Sequence, residues 1–113
     1  MQKNNAKETA KEIIKNAKQI FGDRINNIVL YSVTDEPYKM FSIRFTLYNY
    51  YIIVCNYDRG RFGCSILFGE DAISLQNNIE WDDDCDYVIY WREIDKLVRL
   101  RIPDKYLAEY GWL

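Results

Sequence analysis

The sequence predicts an α+β domain with an N-terminal helix, an antiparallel meander of about four or five strands, and short C-terminal helices. Apolar residues recur with helical spacing near the N-terminus and again after residue 92, whereas they alternate with period two in the middle of the chain. Turn residues, including the run Asp58-Arg59-Gly60-Arg61, separate the alternating segments. A chain of 113 residues is typical of a single domain, which we expect to span residues 1–113.

The clearest element is a helix over residues 6–21. Its apolar stripe, spaced i, i+3, i+4 and i+7, consists of Ala10, Ile13, Ile14, Ala17, Ile20 and Phe21. Lysine and glutamate cover the opposite face, and Gly22 supplies a usual helix stop. Burial of the apolar stripe is therefore expected to hold this helix against the sheet.

Four strands are expected at 28–33, 40–48, 50–57 and 62–68, with turns at 35–38, around Asn49 and at 58–61. Residues 40–48 alternate cleanly, as in a half-buried antiparallel strand. Residues 50–57 are apolar on both faces, which predicts a central strand. Cys55 and Cys64 lie within strands and are interpreted as small core hydrophobes.

The last third of the chain is less regular. Residues 70–79 could form a short helix that begins with acidic residues, and a strand is the competing interpretation. Residues 87–91 look extended, and residues 92–101 look helical. Pro103 then suits the first turn of a last short helix, with Tyr106, Leu107 and Tyr110 directed inward.

Cysteine usage and hydropathy bear on the compartment. Cys55, Cys64 and Cys85 are odd in number and show no CxxC spacing, which favours free thiols in a reducing compartment. No apolar run approaches the roughly 18–20 residues of a membrane helix, and no secretory signal is visible. These features predict a cytoplasmic protein.

The most unusual stretch is Glu80-Trp81-Asp82-Asp83-Asp84-Cys85-Asp86, in which five of seven side chains are carboxylates. Residues 62–91 contain seven acidic residues and no Lys or Arg, so the rest of the chain carries +5 in a total of −2. Because like charges this close repel one another, such a run is either solvated or faces a positive partner.

The residue types argue against most other chemistry. The chain has no histidine, the commonest general base and metal ligand, and no glycine-rich phosphate loop, so we expect neither an enzyme nor a cofactor. Asp82, Asp84, Asp86 and Glu93 have positions 1, 3, 5 and 12 of a calcium loop, but Tyr87 occupies position 6, where the loop needs glycine. A calcium-binding module therefore remains a lesser alternative.

Direct nucleic-acid binding is disfavoured because the pI is about 5.1 and the basic residues are spread along the chain. A protein partner fits the charge distribution better. Carboxylates steer a basic partner, and neighbouring aromatic residues supply apolar anchors. The predicted partner-binding residues are Glu70, Asp71, Glu80, Trp81, Asp82, Asp83, Asp84, Asp86 and Tyr87. An acidic loop that only keeps the domain soluble, or an acidic docking face on an adaptor or regulatory domain, is an alternative.

The leading helix, the tyrosine-rich meander, the acidic run and the tail Leu100-Arg101-Ile102-Pro103-Asp104-Lys105-Tyr106-Leu107 together resemble the immunity proteins of bacterial toxin–immunity systems, including those of contact-dependent growth inhibition. The resemblance implies a non-enzymatic inhibitor that binds a cognate toxin domain, often a basic nuclease, and covers its active site. In that case the acidic run would mimic the nucleic-acid substrate, without direct contact with nucleic acid or membrane.

Overall fold

A computed structural model describes residues 5–75 and 86–113 and has the α+β architecture that the sequence predicts. Its elements in chain order are α1 (Ala6–Phe21), a 3-10 turn (Gly22–Arg24), β1 (Ile25–Thr34), β2 (Met40–Leu47), β3 (Tyr51–Asp58), β4 (Arg61–Phe68), β5 (Asp71–Leu75), α2 (Tyr87–Arg99) and α3 (Asp104–Glu109). No helix of the described residues is long and apolar enough to cross a membrane.

The five strands form one antiparallel sheet whose spatial order, β1-β2-β3-β4-β5, is the chain order. The predicted meander is therefore confirmed, and β3 is its central strand. Asn27 and Ser32, both at φ 55°, lie at the two register shifts of the edge strand β1. Such bulges bend an edge strand and discourage pairing with another chain.

The core lies between one face of the sheet and the two longer helices. Trp91 of α2 is 1% exposed and stands at its centre. Its ring centroid is 5.8 Å from that of Phe21 on α1, 6.2 Å from Phe45 on β2 and 6.0 Å from Phe62 on β4. These edge-on contacts are favourable for aromatic rings, so one side chain joins four elements.

The start of α1 is fixed by two side chains. The Oδ1 atom of Asn5 accepts from the Glu8 amide at 2.8 Å, as an N-cap does. The Oδ1 atom of Asp35, in the loop after β1, accepts from the Ala6 amide at 2.8 Å. The loop between β1 and β2 is thereby attached to the helix, and two amides that no helical turn can satisfy are paired.

One open alternative is decided and two expectations are wrong. Of the two interpretations of residues 70–79, the strand is confirmed for residues 71–75, which form β5 because pairing with β4 places Ile73 opposite Ile66 and Leu75 opposite Cys64; residues 76–79 lie outside the described residues. Residues 87–91 are the first turns of α2, since Tyr90 and Trp91 must face the core together with Ile94. Tyr110 is 54% exposed and does not point inward.

Candidate functional site

The acidic residues predicted to bind a partner separate into groups in the fold. Glu80, Trp81, Asp82, Asp83 and Asp84 lie outside the described residues. Glu70 and Asp71 lie together at the turn between β4 and β5, and both are exposed.

Asp86 and Tyr87 lie together at the start of α2. Asp86 is the N-cap of this helix, and its Oδ1 atom accepts from the amides of Val88 at 2.9 Å and Ile89 at 3.2 Å. Tyr87 is half-buried and packs against the core. Asp86 therefore caps the start of α2, and its side chain stays exposed to solvent.

These two groups lie at opposite ends of the sheet. Tyr90, one turn into α2, contacts Phe62 near the start of β4, with ring centroids 5.8 Å apart. Glu70 follows Phe68 at the other end of that strand. Six residues of extended chain separate Phe62 from Phe68, a distance of about 20 Å. The structure thus brings Glu70 to Asp71, and Asp86 to Tyr87, but does not bring the two pairs together.

The end of the sheet that carries Glu70 also carries a continuous row of aromatic rings, which we call the aromatic end face. Its members come from the turn after β2, the facing ends of β3 and β4, and the C-terminal segment, and they are Tyr50, Tyr51, Phe68, Tyr106, Tyr110 and Trp112. Tyr50, Phe68 and Tyr110 are 41%, 40% and 54% exposed, and the other three are half-buried.

Each ring of this face contacts the next. Centroids are 5.4 Å apart for Phe68 and Tyr51, and 4.7 Å apart for Tyr51 and Tyr50. The row continues at 4.8 Å from Tyr50 to Tyr106 and at 4.8 Å from Tyr106 to Tyr110. Trp112 ends the row, 5.3 Å from Tyr110. The rings fix one another, so little side-chain freedom remains to be lost when a partner binds.

The ring angles make this surface ridged. The pairs Tyr51–Phe68, Tyr50–Tyr51 and Tyr50–Tyr106 are edge-on, with interplanar angles of 78°, 73° and 73°. A flat platform for one planar or cyclic ligand would need coplanar faces. Ridges and notches suit the irregular side chains of a protein surface, and the Tyr51 and Tyr106 hydroxyls are bonded to backbone carbonyls of the chain itself.

Acidic side chains flank the aromatic end face. Asp71 is directly opposite Phe68 in the β4–β5 ladder, and opposed side chains project from the same side of a sheet. Burial raises the pKa of the Tyr106 phenol, Tyr110 and Tyr50 add to the rise, and the nearby carboxylate of Glu109 contributes a smaller part. Glu70 precedes Asp71 at the turn. The face therefore combines apolar anchors with negative charge.

The tail of residues 100–107, which contributes to the resemblance described above, holds the aromatic end face in place. Ile102 and Leu107 are 4% and 1% exposed and fill the core beside α3. The Tyr106 hydroxyl donates to the backbone carbonyl oxygens of Tyr48 at 2.8 Å and Asn49 at 3.3 Å. These contacts fasten α3 to the turn between β2 and β3.

Beneath the face, Arg24 connects that turn to both longer helices. Its Nη2 donates to the Ile20 carbonyl at 2.6 Å, at the end of α1. Its Nη1 lies 3.4 Å from the Tyr48 hydroxyl and 3.8 Å from Asp95 Oδ2 on α2. The Tyr48 hydroxyl in turn donates to the Asp95 carboxylate. Burial raises the pKa of Tyr48, the hydrogen bond and charge of Asp95 add to the rise, and Arg24 opposes it; together they place this pKa at about 12.

These hydrogen bonds hold the turn between β2 and β3 in position. Tyr48 and Tyr106 are protonated donors at neutral pH, as tyrosine normally is, and the raised pKa of each extends that state to higher pH. Within residues 5–75 and 86–113, no three His, Cys, Asp or Glu side chains converge in a way that could hold a metal ion. The described cluster therefore stabilises a surface turn through hydrogen bonds.

The chain matches no protein-family model, and no curated protein or solved structure matches it significantly.

Sequence reasoning missed the aromatic end face. The sequence assigns Tyr50, Tyr51 and Phe68 to strands and directs Tyr106 and Tyr110 inward from the last helix. A signal existed: Asn49, the expected turn residue, is followed by two tyrosines, and the C-terminal segment contains three aromatic residues within seven. Exposed Tyr and Trp near turns are typical of interfaces.

Proposed function

We propose that this chain is an immunity-type inhibitor that binds a basic protein, in its most specific form a cognate toxin domain such as a nuclease. The observation that carries the proposal is the aromatic end face with its acidic border. Tyrosine and tryptophan are enriched among the residues that dominate binding energy, and clustering in a pre-ordered surface strengthens their effect.

Charge complementarity specifies the partner. Glu70, Asp71 and Glu109 place negative charge beside the rings, which favours a surface rich in Lys and Arg. Nucleases carry such surfaces because they bind phosphate backbones. The acidic run Glu80–Asp86 adds the field that the sequence resemblance assigns to substrate mimicry. The proposed inhibitor thus anchors with aromatic rings and is steered by carboxylates.

The test begins with the protein encoded directly before this chain in its genome, since immunity genes follow their toxin genes. We expect co-expression of the present chain to rescue growth of cells that express the toxic domain of that protein. We also expect purified chain and domain to associate in calorimetry. Association without rescue would instead support an adaptor. The absence of both association and rescue would overturn the proposal.

Variants locate the interface. Tyr50→Ser with Tyr110→Ser removes two exposed rings, and we expect affinity to fall by at least about 100-fold, which is typical when two anchors are lost. Val29→Ser with Tyr31→Ser is the matched control, because these side chains are 43% and 38% exposed on β1, away from the aromatic end face. Equal losses from both pairs, or no loss from the first, would contradict the assignment of this face.

The acidic residues require a separate measurement. Asp82→Lys, Asp83→Lys and Asp84→Lys together should weaken binding by orders of magnitude and leave the thermal unfolding midpoint nearly unchanged. Glu70→Lys with Asp71→Lys should mainly lower the association rate, with a smaller effect at high salt. Unchanged affinity in the triple variant would remove the acidic run from the site.

A further inference from the structure

Two cysteines face each other at the centre of the sheet. Cys55 on β3 and Cys64 on β4 are direct partners in the antiparallel register. They are 0% and 2% exposed, and their Sγ atoms are 2.6 Å apart. That separation exceeds the length of a disulfide bond by only about 0.5 Å.

The hairpin register gives this pair the geometry that a cross-strand disulfide needs. Arg59 and Gly60, at φ 52° and 91°, form a two-residue turn between the paired residues Asp58 and Arg61. The pair that closes such a turn is hydrogen-bonded, and the character of the pairs alternates along the strands. Cys55 and Cys64, three pairs further on, are therefore a non-hydrogen-bonded pair. Cα atoms of such a pair are about 4.5 Å apart, within the range for disulfides.

Helix α2 covers the pair. The Tyr90 hydroxyl lies 3.9 Å from Cys64 Sγ, and Tyr90 is 2% exposed. Burial raises the pKa of the Cys55 thiol well above its usual value, and the neighbouring Cys64 adds to the rise. Little Cys55 thiolate is therefore present at neutral pH. Because both sulfurs are buried, an oxidant reaches them only when α2 moves away from the sheet.

We propose that Cys55 and Cys64 are a thiol–disulfide couple built into the core, with a small-molecule disulfide such as oxidised glutathione as the oxidant. One cysteine thiolate attacks the glutathione disulfide, forms a mixed disulfide and releases one glutathione thiolate, which takes up the proton lost by the attacking cysteine. The second cysteine then attacks the mixed disulfide, forms the Cys55–Cys64 bond and releases the second glutathione. The protein loses two electrons and two protons, and two reduced glutathione molecules carry them.

The couple is independent of the proposed interface. The sulfurs lie on the inner face of β3 and β4, beneath the N-terminal half of α2, whereas the rings of Tyr51 and Phe68 in the aromatic end face come four residues further along each strand. Oxidation closes a loop from residue 55 to residue 64 and needs little movement of either sulfur. The oxidised chain should keep its fold and gain stability, because the cross-link restricts the unfolded state.

The experiment uses the full chain carrying Cys85→Ser, which leaves Cys55 and Cys64 as its only cysteines. The reduced protein is incubated with oxidised glutathione, quenched by alkylation in denaturant and analysed by intact mass and peptide mapping. We expect the loss of two hydrogen atoms, no alkylation, and a peptide that links residues 55 and 64. We also expect the thermal unfolding midpoint to rise by about 10 °C, as for a loop of this length in a domain of this size.

A control separates the couple from general thiol oxidation. The same chain unfolded in guanidinium during oxidation should form the bond faster, because α2 no longer covers the sulfurs. Persistent alkylation of both cysteines after native oxidation, a stable mixed disulfide with glutathione, or an unchanged unfolding midpoint in the cross-linked chain would each overturn the proposal. Partner binding by the oxidised chain should match that of the reduced chain.

Discussion

Substitution of Tyr48 by Phe should change the pH dependence of stability in a defined way. The Tyr48 side chain is fully buried, and its hydroxyl donates to the Asp95 carboxylate beside Arg24. At neutral pH, Tyr48→Phe removes a hydrogen bond to a charged acceptor, which typically contributes about 1.5–3 kcal/mol. We therefore expect a loss of roughly 2 kcal/mol in the free energy of unfolding.

The pKa of Tyr48 sets the second part of the effect. Folding raises this pKa from 10.0 to about 12, so the folded state favours the protonated phenol. The stability that this pKa shift gives to the folded state is fully present below pH 10 and is lost as pH rises toward 12. A two-unit shift corresponds to about 2.7 kcal/mol, of which about 1.3 kcal/mol is lost between pH 9 and pH 11.

The measurement is urea unfolding of both chains at several pH values from 8 to 11. Other tyrosines titrate in both chains, so their effects cancel in the difference between wild type and Tyr48→Phe. That difference should shrink by about 1 kcal/mol as pH rises to 11. A difference that stays constant, or that grows, would refute the inference that a protonated Tyr48 bridges the turn to α2.

Three further substitutions test the core, a helix cap and the attachment of α3. Trp91→Ala should lower the free energy of unfolding by about 3–5 kcal/mol, but Trp91→Phe by only about 1–2 kcal/mol, because among the described residues the buried Nε1 has no hydrogen-bond partner to lose. Chemical denaturation measures both values, and equal losses would contradict this explanation. Asp86→Ala should lower stability by about 1 kcal/mol and reduce helical circular dichroism, whereas Asp86→Asn should keep the cap. If Asp86→Asn keeps its stability but loses partner binding, the charge of Asp86 has a role in binding. Tyr106→Phe should cost about 1 kcal/mol in urea unfolding and leave partner affinity intact, since the ring remains in the aromatic end face; a large loss of affinity would show that the hydroxyl itself contacts the partner.

Local sequence patterns were sufficient for the elements whose periodicity agrees with their burial. The stripe of α1 and the alternation in β2 predicted both elements closely, and Arg59-Gly60 predicted the hairpin between β3 and β4. In these segments, propensity, pattern and turn chemistry all indicate the same structure.

Prediction failed where the local preference of the residues and the pattern of burial indicate different structures. Tyr87 to Trp91 has the β-branched and aromatic composition of a strand. Yet Tyr90, Trp91, Ile94 and Val98 are all buried, at a spacing that only a helix can place on one face. The cap at Asp86 begins the helix, and burial of that stripe outweighs the weak local preference.

The sequence contains the aromatic residues of the aromatic end face near turns, but it does not predict that they come together. Tyr50 and Tyr106 are 56 positions apart in the chain, and only the meander and the return of α3 bring their rings to 4.8 Å. A single sequence gives the residue types but not which turns share an end of the sheet. Exposure of these rings depends on how far α3 covers the sheet.

The two turns that flank β3 differ in how they close, which has a consequence for the order of folding. The turn at Arg59-Gly60 is a two-residue loop with glycine at its second position, and the Arg59 amide donates to the Lys39 carbonyl just before the neighbouring strand β2, at 3.0 Å. In the other turn, Tyr48 and Asn49 adopt φ of 59° and 50°, a conformation that is unfavourable for a bulky residue such as tyrosine.

The strained turn is held by contacts from distant parts of the chain. The Tyr48 amide donates to the Arg24 carbonyl at 2.8 Å, and the Tyr106 hydroxyl donates to the Tyr48 carbonyl at 2.8 Å. We expect the β3–β4 hairpin to nucleate early, whereas the turn at Tyr48 closes only after α1 and α3 have docked. The proposed partner surface is then the last part of the molecule to form, so incompletely folded chains would lack it.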